Sequence, residues 1–315
     1  MRDLAMTQTQ PLLPLLIANA GEKAQRRFLE FFLVSIRNKN TRDAYGFAVG
    51  AFLRWCEERG LTLASIEPLM VAAYIERHSG SPATINQHLA AIRKLFDYLV
   101  TGQIMPFNPA SSVKGPKERI TTGKTPVLTG QEAATLFATC DVATPTGLRD
   151  QALFRVMLYT TSRISALLNA KRGDYVKRSG RAFLRQHEKG GVYREVPLHH
   201  QAEQALDRYL EVAAIADPKA FLFQPTAQDR KSLVNRRLSR FSALERVKIA
   251  AAKAGLNPDA CNHTFKATGI TLYRKAGGSL ENARKMAAHS SAETTRLYDR
   301  SDQELTQVEV ERIVV

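Results

Sequence analysis

The residues of this chain that could do chemistry concentrate between His263 and Tyr298. The segment reads His263-Thr-Phe-Lys266-Ala-Thr-Gly269-Ile-Thr, then a helical stretch broken at Gly277-Gly278, then Met286-Ala-Ala-His289-Ser-Ser-Ala-Glu-Thr-Thr-Arg296-Leu-Tyr298. It supplies a phenol that can act as a nucleophile, imidazoles that can move a proton, and an ammonium that can hold an anion. A phenol attacks poorly at neutral pH, because its unperturbed pKa is about 10; nearby cations that favour the phenolate are what such a tyrosine needs. Attack on a phosphodiester fits this set. Each residue alone is ordinary: a lone histidine usually fills a packed or solvated position, and a lone tyrosine usually packs.

The rest of the chain must bring a polyanion to that segment and hold further cations beside it. Lys and Arg number 45 against 30 Asp and Glu, a formal charge of +15 in 315 residues, which favours a polyanionic partner such as nucleic acid over a merely solubilising surface. The length suits two domains, and a hydrophobic content of 44% is enough for a core in each. No apolar run is long enough for a membrane span; the best, Pro11 to Ile17, is short and carries prolines. Cys56, Cys140 and Cys261 are odd in number and far apart, which argues against a disulfide framework or a zinc site. The expectation is a soluble, cytoplasmic protein of a reducing compartment, with no metal site and no membrane partner.

Hydrophobic spacing organises the chain into a flexible N-terminal arm (1–25), a small helical bundle (26–108), a basic linker (109–126), a second, larger domain (127–300) and a C-terminal tail (301–315). In the helical domain, Thr41 is expected to cap a helix with Tyr45, Ala48, Val49, Phe52 and Cys56 on one face. Pro68 starts another helix. A further one after Ser81-Pro82 carries a stripe of Ile85, Leu89, Ile92, Phe96 and Leu99. Arg42, Asn86, Gln87, Arg93 and Lys94 are its candidate DNA contacts. Lys114, Lys117 and Lys124 make the linker basic enough to follow a phosphate backbone.

Beyond it, Thr129 and Glu132 form a capping-box pattern. A long helix breaks at Thr160-Thr161-Ser162, just before Arg163. Ala182–Arg185 and Tyr193–Pro197 flank Glu188-Lys189-Gly190-Gly191 as a hairpin with Lys189 near its turn. A basic helix over 231–254 would present Arg236, Arg237 and Arg240 to DNA.

Taken in order, Arg163, the hairpin Lys189, His263 and Lys266 in His-Thr-Phe-Lys, then His289 nine residues before Tyr298, resemble the tyrosine recombinases of the phage integrase family. The resemblance spans nearly the whole chain. It implies a mainly α fold with a small antiparallel β-sheet: an N-terminal helical, SAM-like core-binding domain and a C-terminal catalytic domain. It also implies roles. Tyr298 attacks the phosphorus and forms a 3′-phosphotyrosyl bond. Arg163 forks onto the non-bridging oxygens. Lys266 and His289 add a cation and a donor, Lys189 protonates the leaving 5′-oxygen, and His263 either accepts the phenol proton or donates to the phosphate. Neither metal nor ATP is needed, because one phosphodiester is exchanged for another.

The implied partner is double-stranded DNA with a specific recombination site, bound by a dimer and paired into a tetramer, with or without an accessory protein. The tail, whose last residues alternate apolar and polar, is expected to exchange between protomers. Two departures stand out. Lys266 occupies a position where the family has arginine, so charge is kept but the planar fork is lost; slowed cleavage with retained DNA binding is the expectation. Ala166 replaces an acid that could brace Arg163. The competing readings are a DNA-binding relative that has lost efficient cleavage, and a type IB topoisomerase-like enzyme.

Overall fold

A computed structural model of the chain describes residues 13–117, 123–187, 193–228 and 232–301. Lys189, the expected stretch 302–315 of the tail, and Arg230 and Lys231 at the start of the expected basic helix lie outside them. The chain divides into two compact units, Met1–Arg119 and Ile120–Val315. It is mainly helical with one small antiparallel sheet, the expected fold class.

In the first unit, α1 (Leu15–Ala18), α2 (Glu22–Glu30), α3 (Lys39–Glu57), α4 (Pro68–Glu76) and α5 (Pro82–Thr101) surround one apolar core. The stripe read from the sequence lies inside: Leu89, Ile92, Phe96 and Leu99 on α5 meet Val49, Phe52 and Cys56 on α3. Burial pushes the Cys56 thiol up to about 12, so it behaves as an apolar filler. Two boundaries differ from expectation. Leu16 and Ile17 are buried in this core, so the packed domain begins inside the expected arm; two adjacent aliphatic side chains remove more apolar surface from water by docking than by staying in a loose segment. The α3 cap is Asn38, whose side chain accepts from the Thr41 backbone N–H at 3.3 Å, rather than Thr41 itself.

The first part of the expected linker also belongs to this unit. Ala110 and Val113 are buried in its core, and the Arg93 guanidinium donates to the carbonyls of Ala110 and Val113. Asn86 donates to the Pro116 carbonyl at 3.0 Å, and Arg42 holds the Ile36 carbonyl at 2.9 and 3.1 Å. Three of the candidate DNA contacts therefore tie the unit's own backbone. Gln87, Lys94, Lys114, Lys117 and Lys124 are exposed.

The second unit has its own larger core. It runs through α6 (Gly130–Ala138), α7 (Pro145–Thr160), α8 (Ile164–Asn169), strands β1 (Tyr175–Arg178), β2 (Arg181–His187) and β3 (Tyr193–Pro197), then α9 (His200–Val212), α10 (Arg240–Lys253), α11 (Asn262–Lys275), α12 (Leu280–Met286) and α13 (Ala292–Arg296). The sheet order is β1-β2-β3, with Gln186 opposite Arg194 in the β2–β3 register. Thr129 and Glu132 form the expected reciprocal cap on α6.

The expected basic helix over 231–254 is a correction. Only Arg240–Lys253 is helical, and it starts at a Ser239 cap that accepts from the Ser242 N–H at 2.9 Å. Upstream, Thr226 bridges Leu233 and Leu238 is buried, so tertiary pairing wins over helix continuation there. Arg236 and Arg237 project, exposed, from that irregular segment, and Arg240 from the first turn of α10. Among the described residues, no helix is long and apolar enough to cross a membrane.

Candidate active site

The helix α7 ends with Thr161 at φ +49°, a left-handed position that turns the chain sharply and sets Arg163 as the residue before α8. A second non-glycine residue with φ +49°, Ala288, follows α12 and immediately precedes His289. A left-handed L-residue costs about 1 kcal/mol or more and persists only where surroundings fix it. Both strained residues here stand next to the basic groups singled out from the sequence.

What fixes Ala288 is a set of cations on the end of α12. A helix C-terminus leaves carbonyls without intrahelical partners and carries a partial negative charge. Lys266, 3% exposed on α11, donates its ammonium to the Ala287 carbonyl at 2.6 Å. Arg163 reaches the Ala288 carbonyl at 3.5 Å, and Arg194, from β3, donates to the Lys285 carbonyl at 3.2 Å and to that of Met286. The end of one short helix is thus the scaffold on which Arg163 and Lys266 meet.

Tyr298 lies just after α13 and is anchored through its backbone. Thr271 donates to the Tyr298 carbonyl at 3.2 Å, and the Arg274–Asp299 ion pair, at 3.0 Å, clamps the following residue to the same helix, α11. Its side chain packs with Ile270, Ala283 and Ala287. The ring stacks on His289 with centroids 5.3 Å apart at 28°, and its hydroxyl stands 3.5 Å from His263 Nδ1. His289 is 5% exposed and its Nδ1 pairs with the Thr295 hydroxyl at 3.0 Å.

The electrostatics follow from burial beside cations. Burial first, then the charges of Lys266 and Arg163, press the His289 ring down to about 3. The same causes in the same order lower His263. Both rings are therefore neutral at neutral pH. Burial raises the Tyr298 phenol; Arg163 works against that rise, while Cys261 adds to it.

Five of the six residues proposed from the sequence for catalysis are thus brought together: Arg163 just before α8, His263 and Lys266 on α11, His289 between α12 and α13, and Tyr298 just after α13. Lys189 falls outside the described residues, between β2 and β3. Arg194, Ser162 and Thr295 were not singled out from the sequence. Arg194 lay in the strand read as Tyr193–Pro197, and nothing in a strand pattern separates a reaching arginine from a solvated one. Among the described residues, no group of three or more His, Cys, Asp or Glu side chains could hold a metal ion.

The sequence profile described as "Phage integrase family" matches residues 126–304, and that of "Phage integrase, N-terminal SAM-like domain" matches residues 26–103. The chain belongs to the phage integrase family of tyrosine recombinases. Among its relatives, the tyrosine recombinase XerD of Chlorobaculum tepidum is 31% identical over 89% of this chain and 94% of the relative. XerD of Listeria innocua is 27% identical over 86% and 91%.

The fold is shared with solved recombinases. XerH, in a post-cleavage complex with a palindromic difH substrate, superposes with a TM-score of 0.70 at 17% identity, covering 96% of each chain. A lambda integrase dimer bound to a COC' core site gives 0.67 at 18% identity, over 91% of this chain and 98% of that one. As a member of this family the chain is a DNA recombinase.

Proposed function

We propose that this recombinase acts at specific DNA sites, cleaving and rejoining strands through a 3′-phosphotyrosyl intermediate at Tyr298. The observation that carries the reading is the phenol hydroxyl, 3.5 Å from a neutral His263 nitrogen and in the field of Arg163. With scissile phosphate bound, His263 Nδ1 accepts the phenol proton as the Tyr298 oxygen attacks phosphorus. The bond from phosphorus to the 5′-oxygen breaks, and Lys189 supplies the proton to that oxygen. Arg163 turns its guanidinium onto the non-bridging oxygens, where charge grows in the transition state.

His289 contributes as a neutral donor. Its Nδ1 is paired with the Thr295 hydroxyl, and in the tautomer in which Nδ1 accepts, the other ring nitrogen carries the proton and can donate to the phosphate. Partners follow the solved relatives: a lambda integrase has been seen as a dimer on a core site and as a tetramer on a Holliday junction. The same arrangement on duplex DNA is proposed here, with the tail beyond residue 300 joining protomers and Gln87, Lys94, Lys114, Lys117, Lys124, Arg236, Arg237 and Arg240 facing phosphate.

A second reading, slowed cleavage with DNA binding retained, is favoured by Lys266. Its ammonium is buried against the Ala287 carbonyl, and it has no second arm to extend to a phosphate as a guanidinium would. Both readings meet in one experiment. A nicked duplex that loses its short 5′ product traps the adduct; the unsubstituted chain gives a covalent complex and Tyr298→Phe gives none. Lys266→Arg forms the adduct about 100-fold faster, the scale of one transition-state donor. Equal rates for Lys266→Arg and the unsubstituted chain would remove the slowed-cleavage reading, and relaxation of a one-site plasmid without two-site recombination would assign a topoisomerase.

A further inference from the structure

Arg194 joins the β2–β3 hairpin to both stretches of backbone carrying the proposed phosphate-binding groups. From β3 its guanidinium donates to Ser162 Oγ at 3.1 Å, to the Lys285 carbonyl at 3.2 Å and to the Met286 carbonyl. Ser162, 3% exposed, is the residue immediately before Arg163. Lys285 and Met286 close α12, whose next carbonyls, of Ala287 and Ala288, receive Lys266 and Arg163. Gln186, directly opposite Arg194 in the strand register, is 1% exposed and neither of its amide atoms is bonded. Of that cross-strand pair, then, Arg194 makes the tether.

We infer that Arg194 is a positioning residue for strand cleavage: it sets the distance between Arg163 and His289 by holding the turn before one and the helix end before the other, while never touching DNA. The inference rests on the reaction proposed for Tyr298. Three features separate this role from ordinary packing. The guanidinium's fork geometry lets one side chain bond both segments at once, which a lysine's single ammonium does poorly. Both segments end in left-handed residues, Thr161 and Ala288, so a small slip at either is amplified into a rotation of the neighbouring catalytic group. The bonds on α12 are to carbonyls at a helix end, where a cation also opposes the partial negative charge that would otherwise compete with phosphate for Arg163.

A misplacement of about 1 Å at a remote support can cost about 100-fold in rate. Arg194→Lys and Ser162→Ala are the informative variants, the second removing one leg of the brace without removing charge. Single-turnover adduct formation is measured on two nicked duplexes at saturating protein. One carries the normal scissile phosphodiester, and the other a methylphosphonate, in which the non-bridging charge that Arg163 must hold is gone. DNA affinity and thermal unfolding are measured alongside.

On the phosphodiester, Arg194→Lys forms adduct about 100-fold more slowly than the unsubstituted chain and Ser162→Ala shows a smaller loss in the same direction, with affinity unchanged. On the methylphosphonate, the gap between each variant and the unsubstituted chain closes to within about 3-fold, because the group being mispositioned no longer has a charge to meet. Equal slowing on both duplexes, no slowing on either, or a loss that follows only unfolding or DNA affinity overturns the role of Arg194. If the unsubstituted chain forms no adduct on either duplex, the proposed reaction falls first and this role with it, so the two failures are told apart.

Discussion

His289 and Lys266 sit in one field, and the consequence is a stability that depends on pH. The His289 ring is held at about 3 by burial and by the Lys266 and Arg163 charges, against about 6.5 in an unfolded chain. Between those values the unfolded state binds more protons than the folded one, so stability falls as pH drops below about 6.5 and keeps falling towards 3. A shift of that size amounts to at most about 5 kcal/mol when fully expressed. Buried His88, in the first unit, is also lowered, by burial and by His78, and adds to the same slope. Thermal unfolding from pH 7 to 4 should therefore show the second unit losing stability steeply, and His289→Gln should flatten that loss. An unchanged slope in the variant would mean that His289 is not neutral and buried as described. His263 is lowered by the same causes, burial first and then the Lys266 and Arg163 charges, and contributes to stability in the same direction.

At the scale of elements, α11 brings His263 and Lys266 to Arg163 only because it can lie very close to α7. A Cβ added at Gly269 would stand 2.3 Å from the Leu158 carbonyl oxygen and 2.8 Å from Thr161 Cγ2, one contact with fixed backbone and one with the strained turn itself. Gly269→Ala should thus push the helices apart, costing about 1 to 3 kcal/mol in stability, and should slow adduct formation more than it weakens DNA binding. A variant of unchanged Tm and rate would show that the two helices have slack.

The same contact explains what was legible in the chain. Tyr298, His289 and His263 stand out because they lie within one local segment, and the α5 stripe stands out because burial on one helix face has a fixed period. The brace through Arg194 was not legible, since two of its three partners are backbone carbonyls some 90 residues away whose exposure depends on where α12 happens to stop, and the third, the Ser162 hydroxyl, lies in a turn 32 residues upstream. The helix expected over 231–254 failed for a related reason: the bridge of Thr226 to Leu233 and the burial of Leu238 are tertiary facts with no local signature.

For the whole molecule, the charge of +15 has to be divided between cations that hold the protein and cations left for DNA. Arg42 and Arg93 spend their donors on backbone carbonyls of the first unit, and Arg93 in particular holds the segment around Ala110 and Val113 against α5. Arg236, Arg237 and Arg240 are exposed on the second unit. Each cation that neutralises a phosphate on duplex DNA releases counterions and steepens the fall of log K with log salt by about 0.9. Replacing Arg236, Arg237 and Arg240 singly by Gln should lower that slope by about 0.9 each while leaving the Tm of the second unit unchanged. Arg93→Gln should do the opposite, lowering the Tm of the first unit, because buried carbonyls lose their donor, with little change in slope. Measuring Kd across a salt series together with unfolding tests both halves at once. If Arg93→Gln reduced the slope without loss of stability, its guanidinium would be reaching phosphate and not the Ala110 and Val113 carbonyls. A slope unmoved by all of the second unit's substitutions would place the DNA elsewhere on that unit.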